Sequence, residues 1–93
     1  MNIVEKIRSG QVTELELLDY ITNNDFSIAL AAAESPLASP AVLQIASHDN
    51  DSRIRLAALK NKNIPSKAVL FLCHDQDSSI ATLAKNEAER RGL

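Results

Sequence analysis

Tryptophan is absent from this 93-residue chain, the aromatics are only Phe26, Phe71 and Tyr20, and there are two glycines and three prolines. So few turn formers and ring side chains argue against a many-stranded sandwich or barrel, and favour closely packed helices built from Leu, Ile, Val and Ala. Cys73 stands alone, which excludes an internal disulfide and fits a reducing compartment. Long hydrophobic runs are missing too. Glu5, Lys6 and Arg8 interrupt the start before any stretch could serve as a signal peptide or membrane span, so a cytoplasmic protein without a membrane partner is expected. No glycine-rich loop is present to cradle a phosphate, and no serine sits in a glycine elbow. No nucleophile–base constellation stands out, and the expectation is a protein that is not an enzyme and carries no cofactor.

What the chain does have is a period of 26 residues. Asp25–Asn50 laid over Asp51–Gln76 agree at Asp25/Asp51, Ile28/Ile54, Leu30/Leu56, Ala31/Ala57, Ala32/Ala58, His48/His74 and Asp49/Asp75. Asp77, Ser78, Ile80 and Ala84 continue the series, and Thr13–Asp25 falls in phase beneath Ser39–Asp51. The copies are therefore about 1–24, 25–50, 51–76 and 77–93, the first degenerate and the last incomplete, within one domain of 93 residues. A repeat of this length, helix-forming and without a fixed glycine, predicts stacked helix pairs.

Within each copy Ile28, Ala31, Ala32, then Ile54, Ala57, Ala58, then Ile80, Leu83, Ala84 stand at helical spacing and predict a buried stripe. Asp25, Asp51 and Asp77 precede those stripes, where a carboxylate accepts from free first-turn amides. The second helix of each pair starts near Thr13, Ser39 and Pro65. Thr13-Glu14-Leu15-Glu16 forms a capping box, and Pro40 falls in the first turn, where its missing amide costs nothing. Its inward stripe reads Leu17, Tyr20, Ile21; Leu43, Ala46, Ser47; and Val69, Leu72, Cys73, joined by Val42, Ile45 and Phe71. The run Val69–Cys73 is apolar all round and predicts a helix covered on several faces. Helices are expected near 2–9, 13–22, 26–34, 40–47, 52–60, 66–74 and 78–90, making an all-α right-handed solenoid of about three and a half helix pairs. If Ile54 and Leu56 are core, truncating either to Ala should cost about 2–5 kcal/mol.

The words Arg55-Leu56-Ala57-Ala58-Leu59-Lys60-Asn61, Ile64-Pro65, Leu70 and Asp75-Gln76-Asp77 resemble the leucine-rich repeat variant and related HEAT-like repeats of bacteria. Residues 25–86 carry the resemblance. The family's Asn-Pro appears here as Ser35-Pro36 and then as Asn61-Lys62, the repeat is slightly longer, and the cysteine cluster of an iron–sulfur member has no counterpart. The resemblance implies a scaffold or adaptor that presents an elongated surface.

His48-Asp49 and His74-Asp75, with Cys73 adjoining, invite a metal reading. Equivalent positions in neighbouring helix pairs lie ~10 Å apart, too far to share one ion, and the histidines read as closing the last turn of each second helix. The oxygen-rich turns at 23–25, 49–51 and 75–77 lack the glycine and the distant bidentate acid of a calcium loop and read as caps and turns. No metal is expected.

Net charge is only −2, but it is unevenly placed: residues 1–46 carry six acids and two bases, residues 47–93 six acids and eight bases. Arg53, Arg55, Lys60, Lys62 and Lys67 follow one another with no intervening acid, and this stretch is the candidate contact for an acidic protein partner. Glu14, Glu16 and Asp19 in the acidic half could serve a basic partner or the same chain head to tail. The expected function is a non-enzymatic interaction module. Two other readings stand beside it: a nucleic-acid accessory using the basic stretch, and a structural homo-oligomer. Nucleic acid is the weaker, because high pI, an aromatic platform and a reading motif are all missing.

Overall fold

A computed structural model describes all residues from Met1 to Leu93. The chain is all-helical: α1 (Ile3–Arg8), α2 (Glu14–Tyr20), α3 (Phe26–Glu34), α4 (Pro40–Ala46), α5 (Ser52–Lys60), α6 (Ser66–Leu72) and α7 (Ser78–Arg90). Six of the seven helices start at a residue whose side chain accepts from a first-turn amide. Asp25, Asp51 and Asp77 accept from the amides of Ser27, Arg53 and Ser79 at 2.9 Å each. Thr13 and Glu16 close the capping box of α2, and Ser39 caps α4 with Pro40 at its first position. Pro65 precedes α6 without a side-chain cap, since proline has no acceptor to offer.

The odd-numbered helices pack in one row, α1 on α3, α3 on α5 and α5 on α7, and the even-numbered helices in another, α2 on α4 and α4 on α6. Alanine makes the close approach possible. Ala29, Ala31, Ala32 and Ala33 of α3 are all buried, so α1 and α5 reach its backbone from two sides. The molecule measures 40 × 22 × 16 Å, with one apolar cluster running its length. Leu17, Leu43 and Val69 take the same inward place on α2, α4 and α6 and are fully covered. Burying each such side chain stabilises the fold by about 1.5–3 kcal/mol before entropy is counted.

Several outward positions differ from the stripe pattern. Leu70 and Phe71 are each 47% exposed, so α6 is covered on its inner face only and the run Val69–Cys73 is not enclosed. Ile45 and Leu83 are also exposed, and Leu56 is half-buried where Ile54 is fully buried. The reason is geometric: with two rows of helices, each helix touches its row neighbours and the opposite row, and its remaining side faces water. The expected cost at residue 54 stands, while that at 56 falls toward the lower end of its range.

Candidate interaction surface

The turns that enter α3, α5 and α7 share one construction. Asn23, Asp49 and Asp75 each accept the backbone amide two residues on, that of Asp25, Asp51 and Asp77, at 2.8 Å. An amide oxygen therefore serves this place as well as a carboxylate does. Each turn thus commits one side-chain oxygen to backbone, and no group of three or more His, Cys, Asp or Glu side chains is arranged to hold a metal ion.

Asp75 carries a second duty. Arg55 on α5 grips both its oxygens, Nε to Oδ2 at 2.8 Å and Nη2 to Oδ1 at 3.1 Å. Its Nη1 donates to the carbonyls of Asp49 and Asn50 at 2.9 and 3.1 Å. One guanidinium thus ties together the turns before α5 and α7. The Arg55 and Asp75 side chains are 8% and 4% exposed. The paired guanidinium holds the Asp75 carboxyl below the usual carboxylate range against the opposing effect of burial.

Arg55 consequently does not belong to a solvent-facing basic patch, although the charge run placed it there. A neutralised, enclosed guanidinium presents no field to a partner. Arg53 is exposed but engaged: it forks onto Asp51 at 3.1 and 2.7 Å and lies 3.8 Å over the Phe26 ring. Its hydrogen bonds hold the Asp51 carboxyl below its ordinary pKa. Lys60, Lys62 and Lys67 remain as exposed cations without an ion pair. The five residues split into one internal clamp, one paired surface arginine and three exposed lysines, of which Lys67 lies on α6 and Lys60 lines a hollow with Glu34 and Ala57.

On α6 the places i, i+3, i+4 and i+7 are Lys67, Leu70, Phe71 and His74, four residues on one side of the helix and all exposed. Ile45 stands on α4 at the place equivalent to Phe71 and is 41% exposed, widening the apolar strip. His48, just beyond α4, lies flat on Phe71 with ring centroids 3.9 Å apart and planes at 19°. Its Nδ1 sits 3.0 Å from the Gln44 carbonyl. The same nitrogen lies 3.2 Å from the Ser47 hydroxyl, which itself donates to the Gln44 carbonyl at 2.7 Å. His48 closes the end of α4, as its position at the end of the second helix implies, and also props the only ring on α6.

Beside this stack opens a surface hollow of about 360 Å³. Its two sides are the equivalent turns Asp49-Asn50 and Asp75-Gln76, the Arg55–Asp75 pair lies in its wall, and His74 and the Phe71 edge complete it. Apolarity alone predicts an enclosed α6, and so conceals this stripe. The signal was present: in the pairs Gln44/Leu70 and Ala41/Lys67 the outward places of α4 and α6 diverge while the inward ones stay apolar. No helix is long and apolar enough to cross a membrane. No protein-family model, no curated protein sequence and no solved structure matches this chain.

Proposed function

We propose that this chain is a short right-handed α-solenoid of about three and a half 26-residue helix pairs, acting as a non-enzymatic scaffold or adaptor for an acidic protein partner. The packing of odd on odd and even on even helices supports the stacked arrangement. The interaction role rests on one observation: Leu70 and Phe71 stand half in solvent on α6, on the same side of the helix as the exposed Lys67 and His74. Solvent-exposed aromatic and aliphatic side chains beside an unpaired lysine suit a partner segment with apolar anchors flanked by carboxylates, the apolar contacts giving affinity and the charges direction. With Arg55 enclosed and Arg53 held by Asp51, a phosphate backbone would find three cations and no free aromatic row.

Selection from a displayed library of helical peptides, with counter-selection against Leu70→Gln/Phe71→Ile, tests this reading. Enriched peptides should carry apolar residues three and four apart with Asp or Glu beside them. Enrichment of basic peptides, or none above background, would contradict it.

Self-association is a second reading, favoured by the opposite end of the molecule. Met1 and Ile3 are exposed there and, with Val4 and Ile28, line a hollow of about 510 Å³. Mass by light scattering over a dilution series separates a dimer from a monomeric adaptor.

A further inference from the structure

The α6 stripe is positive at the lysine end, but the hollow at its other end has the opposite character. Its ionised walls are Asp49 at −1, Asp75 at −1 and Arg55 at +1, a net of −1 with the histidines neutral. Because Arg55 spends its charge on Asp75, the carboxylate left over is that of Asp49. One Asp49 oxygen holds the Asp51 amide, and the other is not needed for the turn. The exposed side-chain amides of Asn50 and Gln76 line the same hollow and offer further acceptor oxygens. The Phe71 ring supplies an aromatic edge.

We propose that this hollow receives a guanidinium, the side chain of an arginine of the protein partner. The inference deepens the adaptor reading and rests on it: the partner lies with its carboxylates over Lys67 and its arginine between the Asp49 and Asp75 turns, so the surface fixes the direction of the bound segment as well as its composition. Planar guanidinium suits the site better than ammonium because its fork of donors can engage the Asp49 carboxylate and an amide oxygen of Asn50 or Gln76 together. A volume of about 360 Å³ lies near the small end of ligand pockets, which span about 300–1,000 Å³, and so takes a side chain.

The test uses N-acetyl-arginine amide, which carries the guanidinium and no other charge, titrated into the ¹⁵N-labelled chain. N-acetyl-glutamine amide and N-acetyl-glutamate amide are the neutral and anionic controls. The arginine compound should produce saturable shifts at Asn50, Gln76 and the two histidines that neither control reproduces. Asp49→Asn should weaken it by about fivefold or more, the scale of one exposed charge contact, about 1 kcal/mol. That variant should keep the turn, because Asn23 makes the same bond at the equivalent place. An unchanged affinity in Asp49→Asn, equal shifts from the glutamate compound, or no saturable shift would overturn the proposal. Lys67→Glu keeps the two readings distinguishable: it should abolish binding of a selected acidic peptide and leave the arginine compound bound. If the acidic peptides fail while the arginine compound binds at the hollow, the adaptor reading is wrong and the site stands.

Discussion

Residues 25–50 and 51–76 each fold as a nine-residue helix capped by aspartate followed by a seven-residue helix, yet their side chains do different work. Their inward places are interchangeable: Val42, Leu43 and Ala46 on α4 and Ala68, Val69 and Leu72 on α6 are all fully buried. Their departures fall into two groups. Where Ala29, Ser35 and Leu37 stand in the first copy, Arg55, Asn61 and Asn63 stand in the second and reach across to a neighbouring copy. Asn61 Nδ2 donates to the carbonyls of Ala33 and Ser35 at 3.0 and 2.8 Å, and Asn63 Nδ2 to those of Pro36 and Ala38 at 2.9 and 3.1 Å. The second group points outward, Lys67, Leu70 and Phe71 replacing Ala41, Gln44 and Ile45. A departure from the period therefore signals either a junction between copies or a surface, and burial tells which.

Putting each residue of the second copy back to its equivalent in the first breaks the comparison one piece at a time. The largest loss should come from Arg55→Ala, which leaves the enclosed Asp75 carboxylate without its partner and should cost about 3–5 kcal/mol in urea unfolding. Adding Asp75→Asn should return a large part of that loss. The amide keeps the turn, as Asn23 does, and no buried charge remains.

The same pair should show in acid. Because the folded Asp75 carboxyl is held below its ordinary value, chiefly by Arg55, the unfolded chain binds the more protons as pH drops. The pair's stabilisation is then full above the unfolded carboxylate pKa of about 3.9 and is lost as pH falls through the lowered folded value. Wild type should thus lose more stability between pH 6 and pH 3 than Arg55→Ala/Asp75→Asn does. Equal losses would show that the pair carries no pH dependence.

Asn61→Ser should come next, at about 1–3 kcal/mol, because a hydroxyl cannot span to both carbonyls and a buried acceptor is left unpaired. At the equivalent place in the first copy, Ser35→Ala removes only the local bond from the Leu37 amide at 3.1 Å and should cost less. If the two losses are equal, Asn61 is not a tie between copies.

Much of the helical outline was legible in the sequence, for a physical reason. Caps and inward apolar places obey local rules of spacing, so Asp25, Asp51, Asp77, Thr13 and Ser39 announce their helices without knowledge of the neighbours. The junctions were not legible. Arg55 meets Asp75 across 20 residues and Asn61 meets Ala33 across 28, and nothing local distinguishes such residues from solvated polar ones. A charge run read in isolation therefore counted Arg55 with Lys60, Lys62 and Lys67. The surface stripe was hidden by the opposite error: Leu70 and Phe71 look like core to a rule that scores apolarity, and only the two-row packing leaves them facing water.

Arg91 repeats the junction rule at the last copy. Its Nη1 donates to the carbonyl of Ile64 at 2.9 Å, the place equivalent to Ala38, and its Nε pairs with Glu87. Glu87 is held at about 2 by Arg90 and Arg91. Arg91→Ala should therefore act on the packing of α7 more than on its helicity, with a small loss seen first as faster amide exchange around Ile64.

The smallest stability effect and the largest functional one should coincide in Lys67→Ala/Leu70→Gln/Phe71→Ile, which gives α6 the outward face of α4. These exposed changes should move unfolding free energy by about 0.5 kcal/mol or less. The most direct test of the central claim is the affinity of a library-selected acidic peptide for wild type and for this triple variant, by fluorescence anisotropy. A loss of at least tenfold with unfolding midpoints unchanged is the predicted result. Undiminished affinity in a folded triple variant would contradict it and send the partner to another face.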